Sequence, residues 1–314
     1  MPRILDPERI EAFAQSGILR IRLPDAATLF ARRAQRLRAL AQRHAVGDYL
    51  RLMADVADNQ HLAVTGLAAS LASERFPEQL GKQIELAHEH KMPLLQAGGW
   101  PRQPRWRALL NELCKSMSRA TGYPTGVRSV CQRILNSSEA EIEAQADLLI
   151  ASRTGGVDAQ AAPFLMAVLQ VYWTAMVTTL KAADVREIDV RGVCPTCGSL
   201  PVCSVVRSDK ASQGYRYLHC SLCATEWHMV RITCSQCFST EGIAYHSIEG
   251  GSEAVRAESC GQCHTYRKIL YQEKDPGVEP VADDLASVAL DLLMSEEGFH
   301  RGSGNPLLWH NTDS

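Results

Sequence analysis

A surplus of positive charge is missing from this chain: 33 Lys and Arg stand against 35 Asp and Glu, a formal net charge of -2. Nucleic acid and anionic membranes select basic surfaces, so neither is an expected partner. The opening Met1-Pro2-Arg3-Ile4-Leu5-Asp6-Pro7-Glu8 lacks the apolar core and small-residue cleavage site of a secretory signal, and a cytoplasmic protein is expected. No Gly-rich phosphate loop, nucleophile elbow or metalloprotease helix occurs, so nothing here calls for an enzyme. Long uncharged runs are scarce as well. The one that stands out, residues 159–180, is diluted by Gln160, Pro163, Gln170, Thr174, Thr178 and Thr179, which favours a buried helix over a membrane span. With 46% hydrophobic and 22% charged residues, wholesale disorder is excluded, and 314 residues exceed the usual single core.

What is present changes character near residue 185. Before it the pattern is helical: Asp6-Pro7 and Pro24-Asp25 read as helix openings, and apolar residues recur at three and four spacing. Helices are predicted over 29–40, 47–72, 104–120, 126–136, 138–152 and 160–183. In the first of these Arg32, Arg33, Arg36 and Arg38 read as a solvated face, with a docking face as the alternative. After 185, short β-prone pieces at 202–206, 215–218 and 227–230 alternate with turn residues. One further helix is predicted from 282 to 297, with Leu285, Val288, Ala289, Leu292 and Leu293 on one apolar face. The tail Leu307-Leu308-Trp309 is expected to dock back. The expected class is α+β multidomain. An all-helical domain (1–185) precedes two tandem rubredoxin-like or zinc-ribbon four-cysteine modules (186–231 and 232–277), and a helix and tail (278–314) follow.

The modules are read from cysteine spacing. Cys194 and Cys197, then Cys220 and Cys223, form two C-x-x-C knuckles separated by 22 residues; Cys234 and Cys237, then Cys260 and Cys263, repeat the same arrangement at an offset of 40. Arg216 and Thr225 recur at that offset as Arg256 and Thr265, which points to duplication of one module. Two residues between cysteines make a tight turn that aims both sulfurs at one ion, and two such turns complete a tetrahedron. Redox disulfides are the competing reading, but they belong beside a βαβ pattern that this sequence does not have. Knuckles one with two and three with four is the natural pairing. An interleaved pairing stays open, because only 10 residues separate Cys223 from Cys234.

Spacing alone separates neither zinc from a single rubredoxin-type iron nor a structural from a redox role. Two filled divalent sites would bring the net charge to about -6. Outside the knuckles, Cys203 reads as a half-buried strand residue rather than a spare ligand or reactive thiol. Cys114 and Cys131 read as helix packing, and His219 and His264 as packing or surface residues rather than groups that tune a centre.

The four knuckles in order, an opening like Ile4-Leu5-Asp6-Pro7-Glu8-Arg9-Ile10 and the acidic-apolar stretch 282–294, followed by Glu296-Glu297-Gly298 and Asn305-Pro306, resemble the formate dehydrogenase accessory protein family, FdhE. The resemblance spans nearly the whole chain. It implies a cytoplasmic maturation factor that contacts the catalytic subunit of a respiratory formate dehydrogenase before export. It also implies that the eight knuckle cysteines bind two ions, with rubredoxin-like iron favoured over zinc. One departure is visible: glycine follows the second cysteine only at Gly198, whereas Ala224, Phe238 and His264 follow the others. A zinc-ribbon nucleic-acid binder is the alternative, weakened by a balance of only +1 between residues 191 and 275 (9 Lys and Arg, 8 Asp and Glu). A rubredoxin-like electron carrier is the other.

Overall fold

In a computed structural model of the chain, residues 18–309 are described apart from 75, 77–79 and 121. The expected opening at Asp6-Pro7 and the family-like segment 4–10 lie outside the described residues. The first part folds into helices α1 (Leu29–Leu40), α2 (Gly47–Ser73), α3 (Gly81–Glu89), α4 (Arg105–Arg119), α5 (Thr125–Asn136), α6 (Glu139–Ile150) and α7 (Ala162–Val177). Six of these match segments read from periodicity. The exception is α3, which buries only Ala87 and so carries almost no apolar stripe to read.

The uncharged run becomes α7, and all of its 16 residues are buried. No described helix is long and apolar enough to cross a membrane. Each large side chain it hides, such as Phe164, Leu169 or Trp173, contributes roughly 1.5–3 kcal/mol relative to exposure. Its one buried amide is well partnered: Gln170 accepts from Arg33 Nη1 (3.0 Å) and Gln60 Nε2 (3.0 Å) and donates to the Ser221 carbonyl (2.7 Å). At Gln170, the dilution that made the run look non-membranous is thus a set of internal hydrogen bonds.

The second part is one continuous sheet. Its strands are β2 (Pro201–Val206), β3 (Arg216–Cys220), β4 (Glu226–His228), β5 (Ile243–His246), β6 (Val255–Cys260) and β7 (Thr265–Tyr271), joined by β1 (Ile21–Arg22) and β8 (His300–Arg301). The order is β1-β4-β3-β2-β7-β6-β5, with β8 on β7. Each repeat forms an antiparallel meander, and the two meet where β2 and β7 pair in parallel at Ser204–Ile269 through Val206–Tyr271. Equivalent strands therefore run in the same direction, and the second repeat sits beside the first as a sideways copy of it. Strand β1 qualifies the all-helical expectation, because Ile21 and Arg22 pair with Trp227 and Glu226 and cover the outer edge of the first repeat.

The C-terminal helix departs from expectation. It is broken into α8 (Pro280–Ala286) and α9 (Val288–Glu296) at Ser287, whose hydroxyl donates to the carbonyls of Asp283 (2.7 Å) and Asp284 (3.2 Å). The ammonium of Lys268 takes the Asp284 carbonyl as well (2.8 Å). Side chains thus occupy carbonyls that a continuing helix would use, which ends it there. The break re-phases the pattern: Leu285, Leu290 and Met294 are buried while Leu292 and Leu293 are exposed. The arginine face of α1 also differs from the solvated reading. Arg33 is buried and pairs with Glu279 (3.0 Å), and Arg36 pairs with Asp283 (2.6 Å) and Asp275 (2.7 Å), so α1 is fastened to α8 by charge. Arg38 pairs with Asp55 and Asp58, and Arg32 is exposed. The tail docks as expected, with Leu307 fully buried and its carbonyl accepting from Tyr49.

Candidate metal centres

Each knuckle is a turn closed by its own backbone. Cys194 N–H donates to Ser199 O (2.9 Å) and Gly198 N–H to Cys194 O (2.8 Å); Cys234 N–H to Ser239 O (2.8 Å) and Phe238 N–H to Cys234 O (3.1 Å) repeat this one module later. The residue after the second cysteine adopts a left-handed conformation in all four knuckles: Gly198 (φ 80°), Ala224 (58°), Phe238 (63°) and His264 (52°). The turn geometry is therefore kept where glycine is absent, at a cost of roughly 1–2 kcal/mol for each residue that carries a Cβ. Ile232, just before the third knuckle, is also left-handed (φ 58°), an uncommon conformation for a β-branched residue.

These turns gather the sulfurs into two groups, Cys194, Cys197, Cys220 and Cys223, and Cys234, Cys237, Cys260 and Cys263, each with its ligand atoms within 4.8 Å of one another. The sequential grouping is the one formed. Cross-knuckle Sγ–Sγ distances are 3.6 Å (Cys194–Cys223), 3.4 Å (Cys197–Cys220), 3.6 Å (Cys234–Cys263) and 3.7 Å (Cys237–Cys260). A tetrahedron with metal–sulfur bonds of about 2.3 Å has edges of about 3.8 Å. All eleven cysteines are free thiols, so the knuckles are not disulfide pairs. Both groups fit a single soft ion.

Donors surround the sulfurs. The amides of Leu222 and Cys223 lie 3.4 Å from Cys220 Sγ, and those of Gln236 and Cys237 lie 3.3 and 3.5 Å from Cys234 Sγ. Thr225 Oγ1 is 3.2 Å from Cys223 Sγ, and Thr265 Oγ1 is 2.9 Å from Cys263 Sγ. The recurrence of threonine at the 40-residue offset thus has a physical reason: each hydroxyl touches the last sulfur of its cluster and can offset thiolate charge. The recurrent arginines have no such shared role. Arg216 is fully buried between the repeats, whereas Arg256 lies over the Tyr271 ring at 5.4 Å.

The two clusters differ in their surroundings. In the first, all four cysteines are buried and the knuckles are bound to the helical region: Leu95 N–H donates to Thr196 O (2.7 Å), Ala97 N–H to Cys197 O (2.9 Å), and Gln170 Nε2 reaches Ser221 O. In the second, Cys234 and Cys260 are buried, Cys263 is half-buried and Cys237 is exposed.

Neighbouring candidates fall outside both clusters. Cys203 is fully buried in β2 rather than half-buried, and burial, reinforced by the carboxylates of Asp284 and Glu279, pushes its thiol well up, away from reactivity. Cys114 and Cys131 are buried in α4 and α5. His219 is buried, with Nδ1 2.9 Å from Glu226. Against its own burial, Glu226 is held well below the usual carboxylate range by Arg207 and this imidazole. His264 serves its turn through the backbone, its carbonyl accepting from His300 N–H (2.8 Å).

The left-handed positions lead to a paired prediction. A Cβ at Gly198 would sit 3.4 Å from Pro93 Cγ and occupy φ +80°, so Gly198→Ala is expected to destabilise by about 1–2 kcal/mol. Ala224→Gly removes the same penalty and loses one buried methyl worth about 0.8 kcal/mol, leaving it neutral or slightly stabilising. Denaturant midpoints of the loaded protein measure both, and a Gly198→Ala protein as stable as the parent, or an Ala224→Gly protein clearly less stable than it, would contradict a shared turn geometry.

Comparison with known proteins places the chain. Residues 18–189 match the family model described as FdhE, N-terminal, residues 193–231 match FdhE, central domain, and residues 232–308 match FdhE, C-terminal domain. Protein FdhE of Salmonella paratyphi A is 42% identical over 287 residues, covering 91% of this chain and 90% of that protein. The Protein FdhE homolog of Cronobacter sakazakii matches at the same identity and coverage. This chain belongs to the FdhE family. The crystal structure of the FdhE protein from Pseudomonas aeruginosa shares the fold, with a TM-score of 0.79 at 33% identity over 92% of this chain and 98% of that one. In FdhE terms, the first cluster lies within the central domain and the second within the C-terminal domain.

Proposed function

We propose that this chain is a cytoplasmic accessory protein that holds the catalytic subunit of a formate dehydrogenase during its maturation, with the eight knuckle cysteines as ligands of two metal ions. Family membership supports the first part; sulfurs spaced 3.4–3.7 Å apart as free thiols carry the second. A bound ion supplies a cross-link between knuckles and, in the iron form that the family resemblance favours, a one-electron couple. The chain does the rest. Cys194, Cys197, Cys220 and Cys223 would hold one ion, Cys234, Cys237, Cys260 and Cys263 the other, and Thr225 and Thr265 would each steady one thiolate. We read the chain as four working units, 1–185, 186–231, 232–277 and 278–314. The last fastens the helices to the sheet through Glu279 and Asp283.

Anaerobic co-purification with the catalytic subunit tests this reading. A stable complex that forms with the immature subunit and dissociates once that subunit is complete is expected. Absence of any complex from metal-loaded, folded protein would overturn it.

A further inference from the structure

The duplicated clusters have the same ligands, spacing and sulfur geometry, but they do not occupy the same environment. In the first cluster no cysteine is more than 1% exposed, and both knuckles are held from outside. The loop before α4 donates two amide hydrogen bonds to Thr196 and Cys197, Pro93 lies against Gly198, and the side chain of Gln170, itself buried in α7, grips Ser221. Opening this cage would require breaking contacts with the helical core.

The second cluster is more open to solvent. Its third knuckle is exposed at Cys237 and Phe238, and Cys263 on the fourth is half-buried. Its supports come from the sheet and the segment after α9: Arg216 Nη1 donates to Thr233 O (2.8 Å), Arg267 Nε to Ser235 Oγ (2.9 Å) and His300 N–H to His264 O, and the Phe299 ring lies 6.2 Å from the His264 ring. Cys237 stays exposed beside them. Where the ligands are the same, solvent access and the surrounding shell distinguish how readily one is displaced from a metal centre.

We infer that duplication has produced two centres with different jobs: the first is a structural joint between helices and sheet, and the second is a ligand-exchange centre that opens at Cys237. This rests on the metal-binding reading above and goes beyond it by assigning distinct roles. The reactants suited to such a centre are soft, thiol-type donors, either small thiols or a cysteine side chain of a bound protein. Replacing the Cys237 sulfur by an incoming thiol would break one metal–sulfur bond and form another. It would leave the oxidation state unchanged, and the proton given up by the incoming thiol would pass through solvent to the displaced Cys237 thiolate. Exposure of Cys237, with Cys234 and Cys260 buried, would allow this without dismantling the cage.

The full-length chain loaded anaerobically with zinc and challenged with excess pyridylazoresorcinol gives the direct test. Two equivalents are expected to leave in two phases, the faster by at least about tenfold. Mass spectrometry after brief N-ethylmaleimide treatment of the loaded chain should find Cys237 and Cys263 modified before Cys194, Cys197, Cys220 or Cys223. Cys237→Ser should lose the fast equivalent and keep the slow one. Two equivalents leaving at one rate, or labelling that begins in the first cluster, would overturn the assignment. A chain that is folded yet takes up no zinc would instead overturn the metal-binding reading itself, so the two failures are distinguishable.

Discussion

Replacing Cys194 and Cys197 together by serine is expected to abolish cooperative folding of the sheet and to loosen the helices packed on it. The equivalent change at Cys234 and Cys237 should leave the helical region and one bound ion intact. The difference follows from position. Binding of a structural tetrathiolate ion is worth on the order of 10–16 kcal/mol in small metal-folded domains, comparable to the whole stability of a typical domain at about 5–15 kcal/mol. In the first cluster that energy is delivered where Thr196, Cys197 and Ser221 are hydrogen-bonded to Leu95, Ala97 and Gln170. Among the described residues the second cluster has no such hydrogen bond to α7, so its loss is expected to stay local. Thermal unfolding followed by far-ultraviolet circular dichroism, with ions counted in the same samples, reads both effects. Equal damage from the two double variants would contradict the unequal coupling. Loss of an ion from a site that mixes Cys197 with Cys234 or Cys237 would contradict sequential pairing.

The second large effect is expected at Arg216. Its guanidinium is fully buried where the repeats meet, 3.0 Å from Ser204 Oγ, 2.8 Å from Thr233 O and 2.6 Å from Glu258 Oε1. Arg216 belongs to the first repeat, and Thr233 and Glu258 to the second, so one side chain holds the two together. Arg216→Met leaves the buried Glu258 carboxylate without its counter-charge, which costs about 3–5 kcal/mol in comparable buried pairs. Replacing both partners, as Arg216→Met with Glu258→Leu, should recover much of that loss, because neither charge is then stranded. Arg256→Met at the repeat-equivalent position removes only a stacking contact on Tyr271 and should cost below about 1 kcal/mol. Chemical denaturation of the four proteins decides the point. A loss at Arg256 as large as at Arg216 would contradict the assignment of the inter-repeat contact to Arg216.

Much of this was legible in the residues. The knuckle spacing named the eight sulfurs and favoured the sequential grouping, while leaving an interleaved one open, and the uncharged run named α7 because a fully buried helix needs no polar face. The strands at 202–206, 215–218 and 227–230 were found within a residue or two. What escaped was set by distant partners. The parallel contact of β2 with β7 joins two repeats that each read as a separate module, and no local pattern encodes that choice. Arg33 and Arg36 looked solvated because their carboxylates, Glu279, Asp283 and Asp275, lie about 240 positions away. The single helix expected from 282 to 297 failed for a similar reason: Lys268, from β7, takes the carbonyl of Asp284 at the point where Ser287 breaks the helix. Threonines 225 and 265 were visible as a repeat, but their contact with sulfur was not. The difference in exposure between the clusters is likewise absent from the spacing, since both have 22 residues between knuckles.

The account stands or falls on the two sulfur cages, and counting ions in the anaerobically purified chain, together with its absorption spectrum, tests them most directly. Two ions per chain are expected, with thiolate-to-metal charge-transfer bands if iron is bound and a spectrum silent above the protein bands if zinc is. A folded, ion-free chain whose eight cysteines are oxidised or freely titratable would contradict it.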